Sequence, residues 1–250
     1  MSLKPTPSAL PYCGPAPDPA ALLVAWNSDL ILWAAMALAI IPGLIHLRQT
    51  EAGPVRQRAF AGAAGLAVVA FVSPLCALTV ALFAARTLHH LILIGLLAPL
   101  LAIALPLRRI HAGAAFFVLS AALWAWHVPV VYAAAWDHPA FYWVMQVVLM
   151  VSAWAFWSGV FRRRSGLGGA IAPAVQVSAL AGQMGLIGAI LTFAPRPLYL
   201  EHLVYTEAFG LSALADQQLA GLVMWVPGMV PFALFAALTL RSAWAQEVRA

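Results

Sequence analysis

The sequence predicts an all-α membrane protein, a polytopic bundle of about seven transmembrane helices. Hydrophobic residues make up 64% of the 250 residues and charged residues only 8%, whereas a soluble domain carries roughly 25% charged residues. The mean hydropathy is +0.92, and several apolar runs approach the ~20 residues that a helix needs to cross a bilayer. These runs are apolar on every face, which argues against a β-barrel with its alternating polarity.

Two regions follow from the distribution of apolar residues. Residues 1–28 form a proline-rich tail on the outer side, in which we expect no regular element. The tail has no apolar run of the signal-peptide type, so we expect the first span to remain as an uncleaved anchor. A single transmembrane domain then covers residues 29–250, with a short link at 75–78 and a loop at 136–139. The predicted spans are approximately 29–46, 59–71, 84–106, 112–126, 141–161, 170–193 and 216–240.

The basic residues predict the orientation of these spans. The loops on one side hold ten of the 13 lysines and arginines. By the positive-inside rule that side is cytoplasmic, which leaves the N-terminus outside and the C-terminus inside. Because the arginines are scattered over short loops, we do not expect nucleic acid as a partner. The long apolar spans make the lipid bilayer the expected surroundings of the chain.

Two adjacent histidines, His89 and His90, lie near the outer end of the third predicted span. An ionisable side chain within a membrane is costly and marks a candidate functional site. Helical neighbours point about 100° apart, so one ring can ligate while the other packs or forms hydrogen bonds. His127, which ends the fourth span, is a second candidate, although a histidine between tryptophan and proline also suits an interfacial anchor. Imidazole is a common ligand of copper and zinc.

Three further candidates lie on the predicted outer side. In an oxidising space Cys13 and Cys76 could form a disulfide, or their thiolates could bind Cu(I). Asp216 opens the seventh span, where a carboxylate caps its helix and can also orient a ligand. His138 and His202 stand in loops and are expected to be solvated. The candidate metal ligands are therefore His90, His127, His89, Cys76, Asp216 and Cys13.

No motif for enzymatic chemistry is present. The sequence has no nucleotide-binding glycine motif, no Ser/His/Asp order and no HExxH pair. We therefore expect a protein without catalytic activity of its own.

Several stretches of the chain are similar to one known family. They are WNSD at 26–29, SPL at 73–75 followed by LFAARTLHHLILIGLLAPLL at 82–101, WAWHVPVVY at 124–132, TFAPRPLY at 192–199 and ADQQLAGLVMWVPG at 215–228. On these motifs the chain resembles the CtaG-type cytochrome c oxidase assembly factors. His90 matches the second histidine of the family's H-x-x-Q-H pattern. Arg86 stands at its first histidine, and Met145-Gln146 at a Glu-His pair of the fifth span.

This resemblance implies a multi-pass protein of the bacterial inner membrane that assists the assembly of cytochrome c oxidase. It implies transient copper binding on the periplasmic side, with an oxidase core subunit and other copper chaperones as partners. In this hypothesis His90 and His127 ligate copper, supported by His89, Cys76 and Cys13, and Asp216 orients the site. Two alternatives are a metal-free scaffold for an oxidase subunit and a haem- or quinone-binding redox protein, since histidines on two spans could ligate haem.

Overall fold

The computed structural model describes residues 11–162 and 166–248, and these residues form helices and loops without any β-strand. The α-helices are α1 (Leu30–Gln49), α2 (Pro54–Phe71), α3 (Pro74–Ala81), α4 (Phe83–Ile92), α5 (Ala98–Ala104), α6 (Ala112–Trp126), α7 (Pro129–Asp137), α8 (Pro139–Val160), α9 (Gly166–Phe193), α10 (Ala213–Trp225) and α11 (Val230–Glu247). Short 3₁₀ helices cover Pro19–Val24, Leu200–His202, Thr206–Phe209 and Pro227–Met229.

The described residues confirm the all-helical prediction and include several candidate membrane spans. Five elements are long and apolar enough to cross a bilayer, namely Leu30–Gln49, Phe83–Ala104, Pro139–Val160, Gly169–Phe193 and Ala213–Arg241. Two bent pairs, α2 with α3 (43°) and α6 with α7 (80°), raise the number to seven when each pair is taken as one span. The structure therefore gives five to seven candidate spans where the sequence predicted about seven.

Prolines begin helices in this chain as well as interrupt them. Pro74, Pro129 and Pro139 lie in the first turns of α3, α7 and α8, where a missing N–H needs no partner and the fixed φ suits a helix. The predicted link at 75–78 and loop at 136–139 are therefore wrong, because the chain is helical through most of both. Pro19 likewise starts a 3₁₀ helix in the tail, where we expected no regular element.

The histidine-bearing span contains a break in its regular hydrogen bonding. Residues Leu93–Leu97 form a π-helical segment between α4 and α5. It begins three residues after His90, and the Leu93 N–H is shared between the carbonyls of His89 and His90. π-Helical segments occur frequently at functional sites, so the backbone itself marks this part of the span.

Close backbone packing joins α9 to α10. The glycine spacing in the sixth predicted span, at 182, 185 and 188, predicted such an approach. A Cβ on Gly188 would lie 2.8 Å from the Gly221 carbonyl oxygen, and a Cβ on Gly221 would overlap Thr192 Oγ1. Gly182, in contrast, has open space at its Cβ position. The prediction is confirmed at Gly188, where α10 supplies the matching glycine.

The contacts between loops fall at two ends of the bundle. At one end Arg56 Nε donates to the Ala104 carbonyl (2.9 Å), and an Arg162 nitrogen donates to the Arg108 carbonyl (2.8 Å). The opposite end is named the histidine end here. It comprises residues 11–28, α3, the first turns of α4, the α6–α7 bend, the start of α8 and residues 194–216, which contact one another.

Candidate functional site

The buried pair His89 and His90 is the centre of the candidate site. The two side chains are 2% and 6% exposed, and their ring centroids are 5.6 Å apart. The His89 ring packs edge-on against Phe71 at 5.2 Å, whereas the His90 ring contacts Trp126 at 4.8 Å. The two imidazoles therefore diverge, as neighbours on a helix must, and each has its own aromatic partner.

Several buried polar atoms on α4, α6 and α8, including those of the histidine pair, have no hydrogen-bond partner among the described residues. They are His89 Nε2, His90 Nε2, Thr87 Oγ1, Trp126 Nε1 and Gln146 Oε1. Buried polar atoms are nearly always paired, and leaving one unpaired costs ~1–3 kcal/mol. Helices α4, α6 and α8 thus carry five unsatisfied polar atoms. A bound cation would suit an unprotonated imidazole nitrogen or the Gln146 oxygen, whereas Trp126 Nε1 can only donate to an acceptor.

His127 has the geometry of an oriented ligand. Its Nδ1 lies 2.7 Å from the Leu123 carbonyl oxygen, which can only accept, so Nδ1 carries the hydrogen. This tautomer leaves the lone pair on Nε2, the arrangement that second-shell hydrogen bonds give to metal-bound histidines. The ring is half-buried at the end of α6.

Asp216 holds the start of the histidine helix. The side chain is completely buried on α10, where its two oxygens accept from Phe83 N (2.6 Å) and Ala84 N (3.1 Å), the first amides of α4. Leu82, at the N-cap of α4, offers no side-chain cap. Ser212 caps α10 instead, so the expectation that Asp216 caps its own helix is wrong. Because both oxygens are engaged by amides, this carboxylate positions the histidines through the backbone.

The two cysteines are bonded to each other. The Cys13–Cys76 disulfide ties the tail to the first turn of α3. The sequence left open whether the pair would form a disulfide or ligate a metal; in the bonded state neither sulfur is a thiolate. Asn27 Nδ2 lies 3.8 Å from Cys76 Sγ and donates to the Phe71 carbonyl at 3.3 Å. Asn27 therefore connects the disulfide to Phe71, whose ring packs against His89.

Tyr12 fastens the tail to α8 and to the start of α1. Its ring stacks on Tyr142 at 5.4 Å and meets Trp143 edge-on at 4.8 Å, and its hydroxyl donates to Asp29 Oδ2 at 2.7 Å. This hydrogen bond lowers the pKa of Asp29. Burial, with the neighbouring carboxylate, raises the pKa of Tyr12.

Arg86 is a buried cation one turn before His90. The side chain is 4% exposed, and its Nε donates to the Thr79 carbonyl at 3.2 Å. The guanidinium carbon stands 5.3, 5.5 and 5.9 Å from the ring centres of Tyr132, Trp136 and Tyr142. Aromatic faces attract such a cation, more strongly when it is desolvated. These rings therefore compensate part of the cost of burying its charge.

His202 is a buried residue of the histidine end that the sequence-based prediction missed. We expected a solvated loop histidine, but the side chain is 1% exposed. Its Nδ1 donates to the Ala81 carbonyl (3.3 Å), and its Nε2 accepts from the Tyr132 hydroxyl (2.7 Å). Burial, with the charge of Arg86 nearby, lowers the pKa of His202 to about 3. No spacing in the sequence signals this burial. His138 is exposed as expected.

The six predicted ligands do not form one cluster. Within residues 11–162 and 166–248 no group of three or more His, Cys, Asp or Glu side chains is placed to hold a metal ion. The structure brings His89 next to His90 and bonds Cys13 to Cys76, and it turns Asp216 towards the α4 backbone. A joint role in metal binding remains a prediction.

Comparison with known proteins identifies the family. The model of the cytochrome c oxidase caa3 assembly factor family matches residues 110–246, more than half of the chain. The matched region runs from α6 to α11 and includes His127, Gln146 and Asp216, whereas His89 and His90 precede it. No curated protein and no solved structure matches the chain. The apolar helices agree with a membrane-bound assembly factor. The chain belongs to the cytochrome c oxidase caa3 assembly factor family.

Proposed function

We propose that this assembly factor binds copper transiently at its histidine end and passes it to an oxidase core subunit. Copper is the cargo in this proposal, and the chain has no catalytic step of its own. The observation that carries the proposal is the pair of buried Nε2 atoms of His89 and His90, which lack a hydrogen-bond partner in the described part of the chain. An unprotonated imidazole nitrogen binds copper readily.

The proposed ligands have graded roles. His90 and His127 supply the imidazoles, and His89 provides a third or supporting group. Cys76 and Cys13 add soft thiolates, which suit Cu(I), only after their disulfide is reduced. Asp216 fixes the start of α4 through its two amide contacts.

The proposed setting is the bacterial inner membrane, crossed seven times, with the histidine end in the periplasm. Support comes from the arginines, since Arg56 and Arg162 bind carbonyls at the other end of the bundle, where the positive-inside rule expects the cytoplasm. In this orientation copper chaperones and the oxidase core subunit reach the site from the same space.

A competition titration with Cu(I) tests the proposal. The purified, reduced protein is titrated against a chromophoric Cu(I) chelator, alongside His90→Ala and the control His138→Ala. His138 is an exposed histidine at the start of α8, so its loss leaves the buried pair intact. We expect wild type and His138→Ala to take copper from the chelator and His90→Ala to fail. Equal uptake by all three proteins would refute the ligand assignment.

A second candidate is a metal-free scaffold for a nascent oxidase subunit. The observation in its favour is apolar surface that the protein does not cover. Only 22% of the most apolar stretch of α1 is buried inside the protein, and 33% of that of Ala213–Arg241. A scaffold predicts full oxidase activity in cells whose assembly factor carries His90→Ala and His127→Ala together. The copper proposal predicts an oxidase that lacks activity and regains it when excess copper is supplied.

A further inference from the structure

The two cysteines of the Cys13–Cys76 disulfide differ in their exposure to solvent. Cys76 is buried in the first turn of α3 and is 1% exposed. Cys13 is partly exposed in the tail, where the chain turns at Gly14 with φ of +84°. That left-handed conformation suits glycine, and the Gly14 N–H closes the turn on the Pro11 carbonyl at 2.9 Å. An incoming thiolate can therefore reach Cys13 far more easily than Cys76.

A cavity leads to the exposed half of the disulfide. It has a volume of about 430 Å³ and lies between the tail segments 12–17 and 24–28, with Ala77 of α3 on its wall. Cys13 lines the cavity, and Cys76 is not among its lining residues. Trp26, on the rim, is 57% exposed. The space suits the side chain and flanking backbone of a second protein's cysteine.

The buried half of the disulfide has the surroundings of a leaving group. Asn27 Nδ2 points at Cys76 Sγ from 3.8 Å, and Cys76 occupies the third position of α3, where a helix N-terminus favours a thiolate. Thr79 Oγ1 lies 4.0 Å from Cys13 Sγ, but its single hydrogen is donated to the Cys76 carbonyl at 2.7 Å. Hydrogen bonding thus favours negative charge on Cys76 over Cys13.

We propose that Cys13–Cys76 is an exchangeable disulfide that accepts electrons from a dithiol of a partner protein, with attack directed to Cys13. The partner's first thiolate forms a bond to Cys13 Sγ. The bond between the two sulfurs of this chain breaks, and its electron pair leaves on Cys76, which then takes a proton from solvent. The partner's second thiolate attacks the partner sulfur of the mixed disulfide and releases Cys13, which is protonated in turn. Two electrons and two protons pass from the partner's dithiol, which becomes a disulfide.

Reduction need not detach the tail. Tyr12 remains held by its contacts with the Tyr142 and Trp143 rings of α8 and by its hydrogen bond to Asp29. The freed sulfurs therefore stay near the histidine end, where the copper proposal assigns them as ligands. Only this link to copper rests on the proposed function, since the exchange reaction itself needs no metal.

Trapping the mixed disulfide tests the direction of attack. The folded protein, in detergent with a metal chelator, is exposed briefly to glutathione and quenched with iodoacetamide, and its peptides are analysed by mass spectrometry. We expect glutathione on Cys13 and the alkyl group on Cys76. Glutathione on Cys76, or a disulfide that withstands excess dithiothreitol until the protein is unfolded, would overturn the proposal. Because copper is excluded, failure of copper binding leaves this result unaffected.

A pair of variants tests the leaving-group contact. Asn27→Ala removes the donor to Cys76 Sγ, whereas Ser28→Ala changes the next residue on the same cavity wall. We expect dithiothreitol to reduce Asn27→Ala about 2- to 10-fold more slowly than wild type, the equivalent of one hydrogen bond, and Ser28→Ala at the wild-type rate. An Asn27 that only anchors the tail predicts the opposite, since loosening the tail would speed reduction. Faster or unchanged reduction of Asn27→Ala would therefore contradict the leaving-group role.

Discussion

Removal of the Asp216 carboxylate should cost more stability than the loss of an ordinary helix cap. The side chain is 0% exposed and receives Phe83 N at 2.6 Å and Ala84 N at 3.1 Å. Asp216→Ala leaves two buried amides without partners, each worth ~1–3 kcal/mol, so we expect the free energy of unfolding to fall by ~2–6 kcal/mol. Asp216→Asn keeps one acceptor oxygen and should lose ~1–3 kcal/mol.

The assay is denaturant unfolding in mixed micelles, followed by tryptophan fluorescence, with Ser212→Ala as the matched control. Ser212 is an exposed cap whose Oγ accepts from Ala215 N at 3.1 Å, and its loss should cost ~0.5–2 kcal/mol. The ranking expected is Asp216→Ala, then Asp216→Asn, then Ser212→Ala. If Asp216→Ala is no less stable than Ser212→Ala, the claim that Asp216 anchors the histidine helix is refuted.

Two further predictions concern packing and pH. Gly221→Ala should lower the free energy of unfolding by ~1–3 kcal/mol, because its Cβ would lie 2.8 Å from Thr192 N. The control Gly182→Ala places its Cβ in open space and should be neutral or slightly stabilising. Equal effects of the two substitutions in the same unfolding assay would contradict this prediction. The folded pKa of His202, about 3, is below the ordinary 6.5, so the unfolded chain binds the proton first. The stability that the neutral, buried ring contributes is therefore complete above pH 6.5. As the pH falls from 6.5 towards 3, the free energy of unfolding decreases by ~1.4 kcal/mol per pH unit. His202→Gln should reduce this pH dependence, and an unchanged dependence would contradict the prediction.

The apolar helices could be predicted from the sequence because burial in lipid demands long uncharged runs, and these are visible one residue at a time. The breaks between helices were harder to place. Two predicted spans end at 71 and 126, shortly before Pro74 and Pro129, yet each of these prolines lies in the first turn of a further helix. A proline ends the preceding hydrogen-bond ladder and suits the next one, so its position alone does not tell whether a loop or a bent helix follows.

The candidate site shows the same division between local and long-range information. A charged or ionisable residue in an apolar run is a local anomaly, so His89 and His90 were found directly. Asp216 and His202 act through partners distant in sequence, since Asp216 binds the amide of Phe83 and His202 binds the Ala81 carbonyl. Those contacts depend on how α10 and the preceding loop fold over α4. Almost every residue has a backbone amide and a carbonyl, so the sequence does not show which of them a distant side chain binds. Neither role could therefore be derived from residue spacing.

Metal analysis combined with X-ray absorption spectroscopy at the copper edge tests the central claim most directly. The chain is purified in detergent under reducing conditions, loaded with Cu(I), desalted and compared with His90→Ala. The copper proposal predicts near-stoichiometric copper in the wild type, with imidazole nitrogen and sulfur around the metal, and loss of that copper in His90→Ala. Wild-type protein that retains no copper, or retains it with the same spectrum in His90→Ala, would contradict the proposal and favour the metal-free scaffold.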